Sequence, residues 1–255
     1  MVKVEGIFCG YDGFSLKDIS FEVKKDEIFG IIGPNGSGKT TLLRAITRII
    51  PLKKGTVLFN GTQIKKMGFK EFAKMTGIVS QVEEITFDME VDELVMLGRI
   101  PHQRFLFTTK NDIEKAREAM EITGIISFKE KYLSKISGGE RQLAFISRAL
   151  CQEPKLLFLD EPTTHLDITH QVEILELIRR LNKELSLTVL IVLHDLNLAS
   201  EYCDRLLLLK NGQTYKIGDP NDVITQKNIE DVYKTRVIIK ENPITHKPYV
   251  FLVPK

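Results

Sequence analysis

The chain has no tryptophan and little cysteine: Cys9, Cys151 and Cys203 are all it carries. Their separations match no metal-ligand or redox-pair spacing, and so small and odd a number suits a reducing compartment rather than a disulfide framework. Long apolar runs are missing too. Thr188 to Leu193 is among the longest, far short of the roughly 20 residues that a transmembrane helix needs. The N-terminus runs straight into strand-like residues, with no leader pattern ahead of them. If the protein works at a membrane, it does so through a partner. An excess of one charge is lacking as well. Thirty-six basic and 34 acidic residues leave +2, which is no electrostatic footprint for nucleic acid. The paired lysines (Lys24–Lys25, Lys53–Lys54, Lys65–Lys66) are scattered and read as solvated faces. What is present is ordinary: 255 residues, 43% hydrophobic and 27% charged, enough to bury a sizeable core.

Against that background one stretch stands out. Gly33-Pro34-Asn35-Gly36-Ser37-Gly38-Lys39-Thr40 has the glycine, four residues, glycine, lysine, threonine spacing of a P-loop. It follows the apolar run Glu27 to Ile32 and precedes a helical pattern from Thr40 to Ile50, the strand–loop–helix context that the motif needs. Gly33, Gly36 and Gly38 let the backbone approach a ligand closely. Successive N–H groups then cradle phosphate oxygens at the positive end of the helix dipole. Lys39 is expected to reach the β- and γ-phosphates of a bound nucleotide and Thr40 to place its hydroxyl on Mg²⁺, with Thr41 beside them among the nucleotide-binding residues.

Taken in order, Val2 to Tyr11 and Phe14 to Val23 are rich in β-branched and aromatic residues, and Asp12–Gly13 between them is a hairpin signal. With Thr56 to Phe59 they predict an antiparallel lobe. Leu42, Leu43, Ile46 and Ile49 form an apolar stripe on the P-loop helix, which is expected to stop at Pro51. Gly77 to Gln81 reads as a buried strand ending in glutamine. Met89 to Gly98 and Asn111 to Thr123 read as helices, the second with Ile113, Ala116, Met120 and Ile122 on one side. A helix from about Arg141 to Cys151 follows Ile136 to Glu140, with Ser137 as N-cap. Lys155 to Leu159 is a short apolar strand ending in Asp160–Glu161. A long helix, about Thr169 to Leu185, carries the stripe Val172, Leu175, Ile178, Leu181. Thr188 to Leu193 is a nearly continuous apolar strand ending at His194, as buried parallel strands read. Arg205 to Leu209 is another strand, turned at Asn211–Gly212. Strands alternating with helices predict an α/β fold with a mostly parallel sheet core. Ligands in such sheets sit at the carboxyl ends of the strands, where Gly33, Gln81, Asp160 and His194 are expected to converge.

The run Leu156 to Glu161 delivers Asp160 toward the Mg²⁺ of the P-loop, and Glu161 can face the water that attacks the γ-phosphate. Together these motifs resemble the nucleotide-binding subunit of ABC transporters, over essentially the whole chain. Ile136-Ser137-Gly138-Gly139-Glu140 looks like the family's signature element, with Ile for Leu and Glu for Gln. Gln81 looks like the Q-loop glutamine, Thr163 to Asp167 like the D-loop, His194 like the switch histidine and Tyr11 like the aromatic that stacks on adenine. His165 and His170 lie five apart, but neither sits in a metal-ligand pattern.

The resemblance implies a P-loop NTPase domain over 1–255. Residues 1–81 and 136–255 would form a β lobe and RecA-like core, 82–135 a helical subdomain, and 219–255 a tail packed on the core. It implies a head-to-tail homodimer in which each ATP lies between one P-loop and the other copy's Ser137–Gly139 element. Glu161, His194 and Gln81 would be the catalytic set, and Thr40, Gln81 and Asp160 the Mg²⁺ set. Val91 to His102, Asp195 to Ala199 and the tail, with short helices at Pro220 to Thr225 and Asn228 to Tyr233 before a last hairpin, resemble importer ATPases for iron–siderophore, haem or cobalamin. Those partner with integral-membrane permeases at the cytoplasmic face of the cell membrane, fed by a substrate-binding protein. The alternative is a soluble ABC-type ATPase in a non-transport process; it predicts coiled-coil inserts, zinc modules or tandem copies, which the sequence lacks.

Overall fold

The computed structural model describes residues 1–11, 13–81, 88–103 and 108–254. In chain order the strands and helices are β1 (Val2–Tyr11), β2 (Phe14–Val23), β3 (Ile28–Ile32), α1 (Lys39–Ile46), β4 (Lys54–Phe59), β5 (Thr62–Gln63), α2 (Phe69–Met75), β6 (Thr76–Val79), α3 (Val91–Met96), α4 (Lys110–Thr123), α5 (Gly138–Leu150), β7 (Leu156–Asp160) and α6 (Ile168–Leu185). They continue as β8 (Thr188–Val192), α7 (Leu196–Tyr202), β9 (Arg205–Lys210), β10 (Gln213–Gly218), α8 (Pro220–Val223), α9 (Gln226–Tyr233), β11 (Val237–Glu241) and β12 (Pro248–Leu252). The chain divides into two compact units, one made of Met1–Met67 with the chain from Thr188 onward, the other of Gly68–Leu187.

In the first unit, β1 pairs antiparallel with β2 and β4, and β4 with β5, which is the expected lobe. The alternation in β1 puts Val2, Val4, Ile7 and Cys9 on the buried face, as a one-sided sheet requires. The predicted turn includes Asp12, which lies outside the described residues; Gly13 has φ 88°. Strand β3 is buried along its whole length and pairs in parallel with β8 and β9, while β10 returns antiparallel on β9. The predicted Asn211–Gly212 turn joins the last two with φ 49° and 76°, the left-handed pair that a two-residue hairpin of this hand demands. The tail helices and a closing β11–β12 hairpin follow.

Helix α1 ends at Ile46, short of the predicted Ile50. The Thr47 hydroxyl donates to the Leu43 carbonyl at 2.9 Å, and Arg48 turns left-handed at φ 65°. Ile49 therefore leaves the apolar stripe and is exposed.

In the second unit β6 and β7 pair in parallel. Strand β6 stops at Val79, so Gln81 lies just beyond it rather than in it. Helix α5 starts at Gly138, three residues earlier than predicted, because the box around Ser137 admits both glycines to its first turn. On α4 the buried side is Ala116, Ala119, Met120 and Thr123, whereas Ile113 and Ile122 are exposed. On α6 Leu175, Ile178 and Leu181 are buried with Ile174 and Leu177, and Val172 is exposed.

The helices of this unit are joined by an ion cluster around a buried arginine. Arg99, 2% exposed, donates from Nε to Asp112 Oδ1 at 3.0 Å and from Nη1 to Glu153 Oε2 at 2.9 Å and the Cys151 carbonyl at 2.6 Å. Asp112 also closes the capping box of α4 with Thr109. Removing the guanidinium leaves a buried carboxylate without its cation. Arg99→Ala is expected to lower the unfolding free energy by about 3–5 kcal/mol, read from urea denaturation. A change under about 1 kcal/mol contradicts a structural role for the cluster.

Among the described residues no helix is long and apolar enough to cross a membrane.

Candidate active site

The first unit carries the phosphate cradle. Strand β3 delivers the chain into a loop whose glycines take φ values of 153° at Gly33, 76° at Gly36 and 104° at Gly38. At Gly33 a Cβ would sit 2.6 Å from the Leu209 carbonyl oxygen and 2.7 Å from Ser37 Oγ, so only glycine fits. At Gly36 the space where a Cβ would point is open, and Asn35 beside it is exposed. Helix α1 starts from Gly38 with no capping side chain and no acidic residue in its first turn. A helix N-terminus with neither favours an anion. Ser37 Oγ is buried and has no hydrogen-bond partner among the described residues. Lys39, 5% exposed, donates from Nζ to the carbonyl oxygens of Gly33 at 2.9 Å and Pro34 at 3.3 Å. A buried ammonium folded onto its own loop, beside an orphaned hydroxyl and a glycine-shaped hollow, fits a polyphosphate. Thr40 and Thr41 are half-buried on the first turn.

Tyr11 is the last residue of β1, about half exposed, and pairs across the hairpin with Phe14. Phe14 has its ring against Gly38, so the aromatic that touches the loop is the neighbour of the one the sequence singles out. His194 stands exposed past the end of β8, just ahead of α7. The helix is capped by Asp195, whose carboxylate accepts from the Asn197 and Leu198 N–H groups.

The second unit carries the acidic and signature elements. Asp160 ends β7 and is 3% exposed. Glu161, 6% exposed, has φ 54°, a left-handed backbone that a residue with a Cβ adopts at a cost of about 1–3 kcal/mol. Its Oε2 accepts from Gln81 Nε2 at 2.5 Å and from Thr164 Oγ1 at 3.5 Å. The structure thus brings Gln81 and Glu161 together, eighty residues apart in sequence.

Ser137 caps α5. Its Oγ accepts from the Glu140 N–H at 3.2 Å, and its own N–H donates to Glu140 Oε2 at 2.6 Å. That backbone bond, foremost, holds the Glu140 carboxyl below the usual range. The S-x-x-E spacing is the sequence signature of such a box. One contact has no counterpart in the sequence reading: the ring of His170, at the start of α6, lies against Gly139, and Asp167 holds it by both carboxylate oxygens at 2.9 and 3.0 Å. The Asp-x-x-His spacing across the helix start accounts for the bond to Asp167 but not for the contact with Gly139. His165 is exposed, with φ 64°.

Comparison with known proteins agrees with this chemistry. A family model described as ABC transporter matches residues 16–164. The uncharacterized ABC transporter ATP-binding protein YvrA of Bacillus subtilis is 40% identical over 100% of this chain, which spans 58% of that protein's length. The ferric enterobactin transport ATP-binding protein FepC of Escherichia coli is 39% identical over 98% of this chain and 93% of its own. Among solved structures, an inward-facing putative metal-chelate type ABC transporter superposes with a TM-score of 0.87 at 26% identity, over 100% of this chain and 97% of that one. The dimeric bacterial ABC transporter cassette MJ0796 gives 0.75 at 27% identity, over 86% and 98%. With a family model spanning more than half of its length and relatives this similar along nearly all of it, the chain belongs to the ABC transporter family.

Proposed function

We propose that this chain is the ATP-hydrolysing subunit of an ABC importer for iron(III)–siderophore, haem or cobalamin, working as a homodimer on integral-membrane permease subunits at the cytoplasmic face of the cell membrane. The observation that carries the hydrolytic part is Glu161, a buried carboxylate directly after Asp160, held in left-handed backbone and gripped by Gln81. Such strain persists where the surroundings enforce it for function. The cargo class is supported by the comparisons: FepC is named for ferric enterobactin transport, and a structure of TM-score 0.87 for a metal-chelate type transporter.

In this reading Lys39 leaves the Gly33 and Pro34 carbonyls for the β- and γ-phosphates, and the loop N–H groups of Gly36 to Thr41 hold the rest of the triphosphate. Tyr11 stacks on the adenine. Thr40, Asp160 and the carbonyl oxygen of Gln81 offer hard oxygen donors, which suit Mg²⁺. Held by these residues, Mg²⁺ would supply positive charge that neutralises the triphosphate. Glu161 accepts a proton from the attacking water. His194 contacts the γ-phosphate, and Ser137, Gly138 and Gly139 of the second copy take its far side. ATP is then a ligand of the closed dimer, and hydrolysis removes it. The helices within 82–135 pass closure to the permease, and a substrate-binding protein loads the cargo on the far side.

The test is an affinity pull-down of tagged protein from detergent-solubilised host membranes, followed by mass spectrometry. A polytopic permease in the eluate is expected. Soluble partners alone, even after crosslinking in intact membranes, contradict transport and favour a soluble ABC-type ATPase.

A further inference from the structure

Helix α6 begins at Ile168 behind the N-cap Asp167. Asp167 accepts the His170 N–H at 2.9 Å and also binds the ring Nδ1 of the same histidine. The ring is therefore held by both ends of its own residue, and it points at α5. A Cβ built on Gly139 would lie 2.6 Å from His170 Cγ and 2.8 Å from Nε2, and nearer still to Cδ2. Since Gly139 lies within helix α5, with no positive φ, glycine is required there by the ring and not by the backbone. The first turn of α5, with Ser137 as its cap and Glu140 as the other half of the capping box, thus rests on an imidazole anchored in the segment that follows Asp160 and Glu161.

We propose that His170 is a positioning residue for ATP-driven dimer closure: clamped by Asp167 and seated on Gly139, it fixes the Ser137–Gly139 turn against the start of α6. This rests on the reading that the turn receives the γ-phosphate of the ATP held by a second copy. Among the described residues, Asp167 and Glu173 from α6 and Glu140 from α5 bring negative charge to the ring. A cation there offsets the carboxylate that Glu140 brings to the turn. The bond to Asp167, foremost, holds the imidazole pKa above its ordinary value. The sign follows. The ion pair is complete below the ordinary value of about 6.5 and is lost as pH rises through the raised one.

The experiment measures how much ATP is needed to assemble the dimer in the Glu161→Gln background, by light scattering, across about pH 6 to about pH 8.5. In the parent the half-maximal ATP concentration is expected to rise about tenfold over that span, as one linked proton per site allows. In Glu161→Gln/His170→Asn it is expected to start high and stay flat, while affinity of the monomer for a fluorescent ATP analogue matches the parent. Thermal unfolding checks that the variant is folded. If it is not, NMR titration of His170 in the parent decides alone: a midpoint above about 6.5 that falls in Asp167→Asn supports the clamp, and an unmoved midpoint overturns it. Equal pH dependence with and without His170 overturns the proposal while leaving closure intact. Absence of an ATP-dependent dimer at any pH overturns the closure reading, and the positioning role with it.

Discussion

Glu161→Gln is expected to lower steady-state ATP hydrolysis by about 10²–10⁴-fold, the usual contribution of a positioned general base, and to leave ATP binding intact. The substitution is nearly isosteric. Glutamine tolerates the φ of 54° as glutamate does, and its amide oxygen can still accept from Gln81 Nε2 as Glu161 Oε2 now does. The fold is therefore held constant and only the proton acceptor is lost. Asp160 remains as a buried carboxylate one residue earlier, assigned in the proposed mechanism to Mg²⁺ rather than to the water. Phosphate release under saturating Mg²⁺–ATP, with nucleotide affinity measured beside it, separates the two effects. Turnover within about threefold of the parent contradicts the assignment, because a general base is worth far more than that.

Lys39→Ala is expected to fail earlier, at binding. Each charge-assisted hydrogen bond from the ammonium to a phosphate oxygen is worth about 1.5–3 kcal/mol. Two such bonds set an expected loss of about 3–6 kcal/mol, or about 10²–10⁴-fold in Kd. The same side chain now satisfies the Gly33 and Pro34 carbonyls, so its removal also leaves a buried acceptor unpaired and loosens the empty loop. Melting temperature without nucleotide reads that second effect, and isothermal titration with ATP reads the first. An ATP affinity within about threefold of the parent contradicts the phosphate role, since even one lost bond exceeds that.

These two positions were legible in the sequence because their chemistry is contiguous. The P-loop is one uninterrupted run, and the Asp160–Glu161 pair is announced by the apolar residues that bury β7. The parallel strands were equally clear, since β3, β7 and β8 are buried on both faces and carry almost no polar residue. Elements whose ends are decided by side-chain bonding were less so. Nothing in the apolar period shows that Thr47 will turn its hydroxyl back onto Leu43 and end α1. Nor does it show that Ile113, Ile122 and Val172 will lie outside the buried arc, because exposure there depends on which neighbour covers the helix. The contact of His170 with Gly139 joins segments thirty-one residues apart, counting from 139 to 170, through packing that no local pattern encodes. The left-handed backbone at Glu161 was hidden for a related reason: glutamate carries no propensity for it, and the surroundings impose it.

The measurement that tests the central claim most directly is the mass of Glu161→Gln in solution, by light scattering, first with ADP and then with Mg²⁺–ATP. The account predicts one chain of 29.1 kDa with ADP and twice that mass with ATP, because only the γ-phosphate joins the cradle of one copy to Ser137–Gly139 of the other. A single-chain mass under both conditions, or the same dimer with either nucleotide, would contradict it.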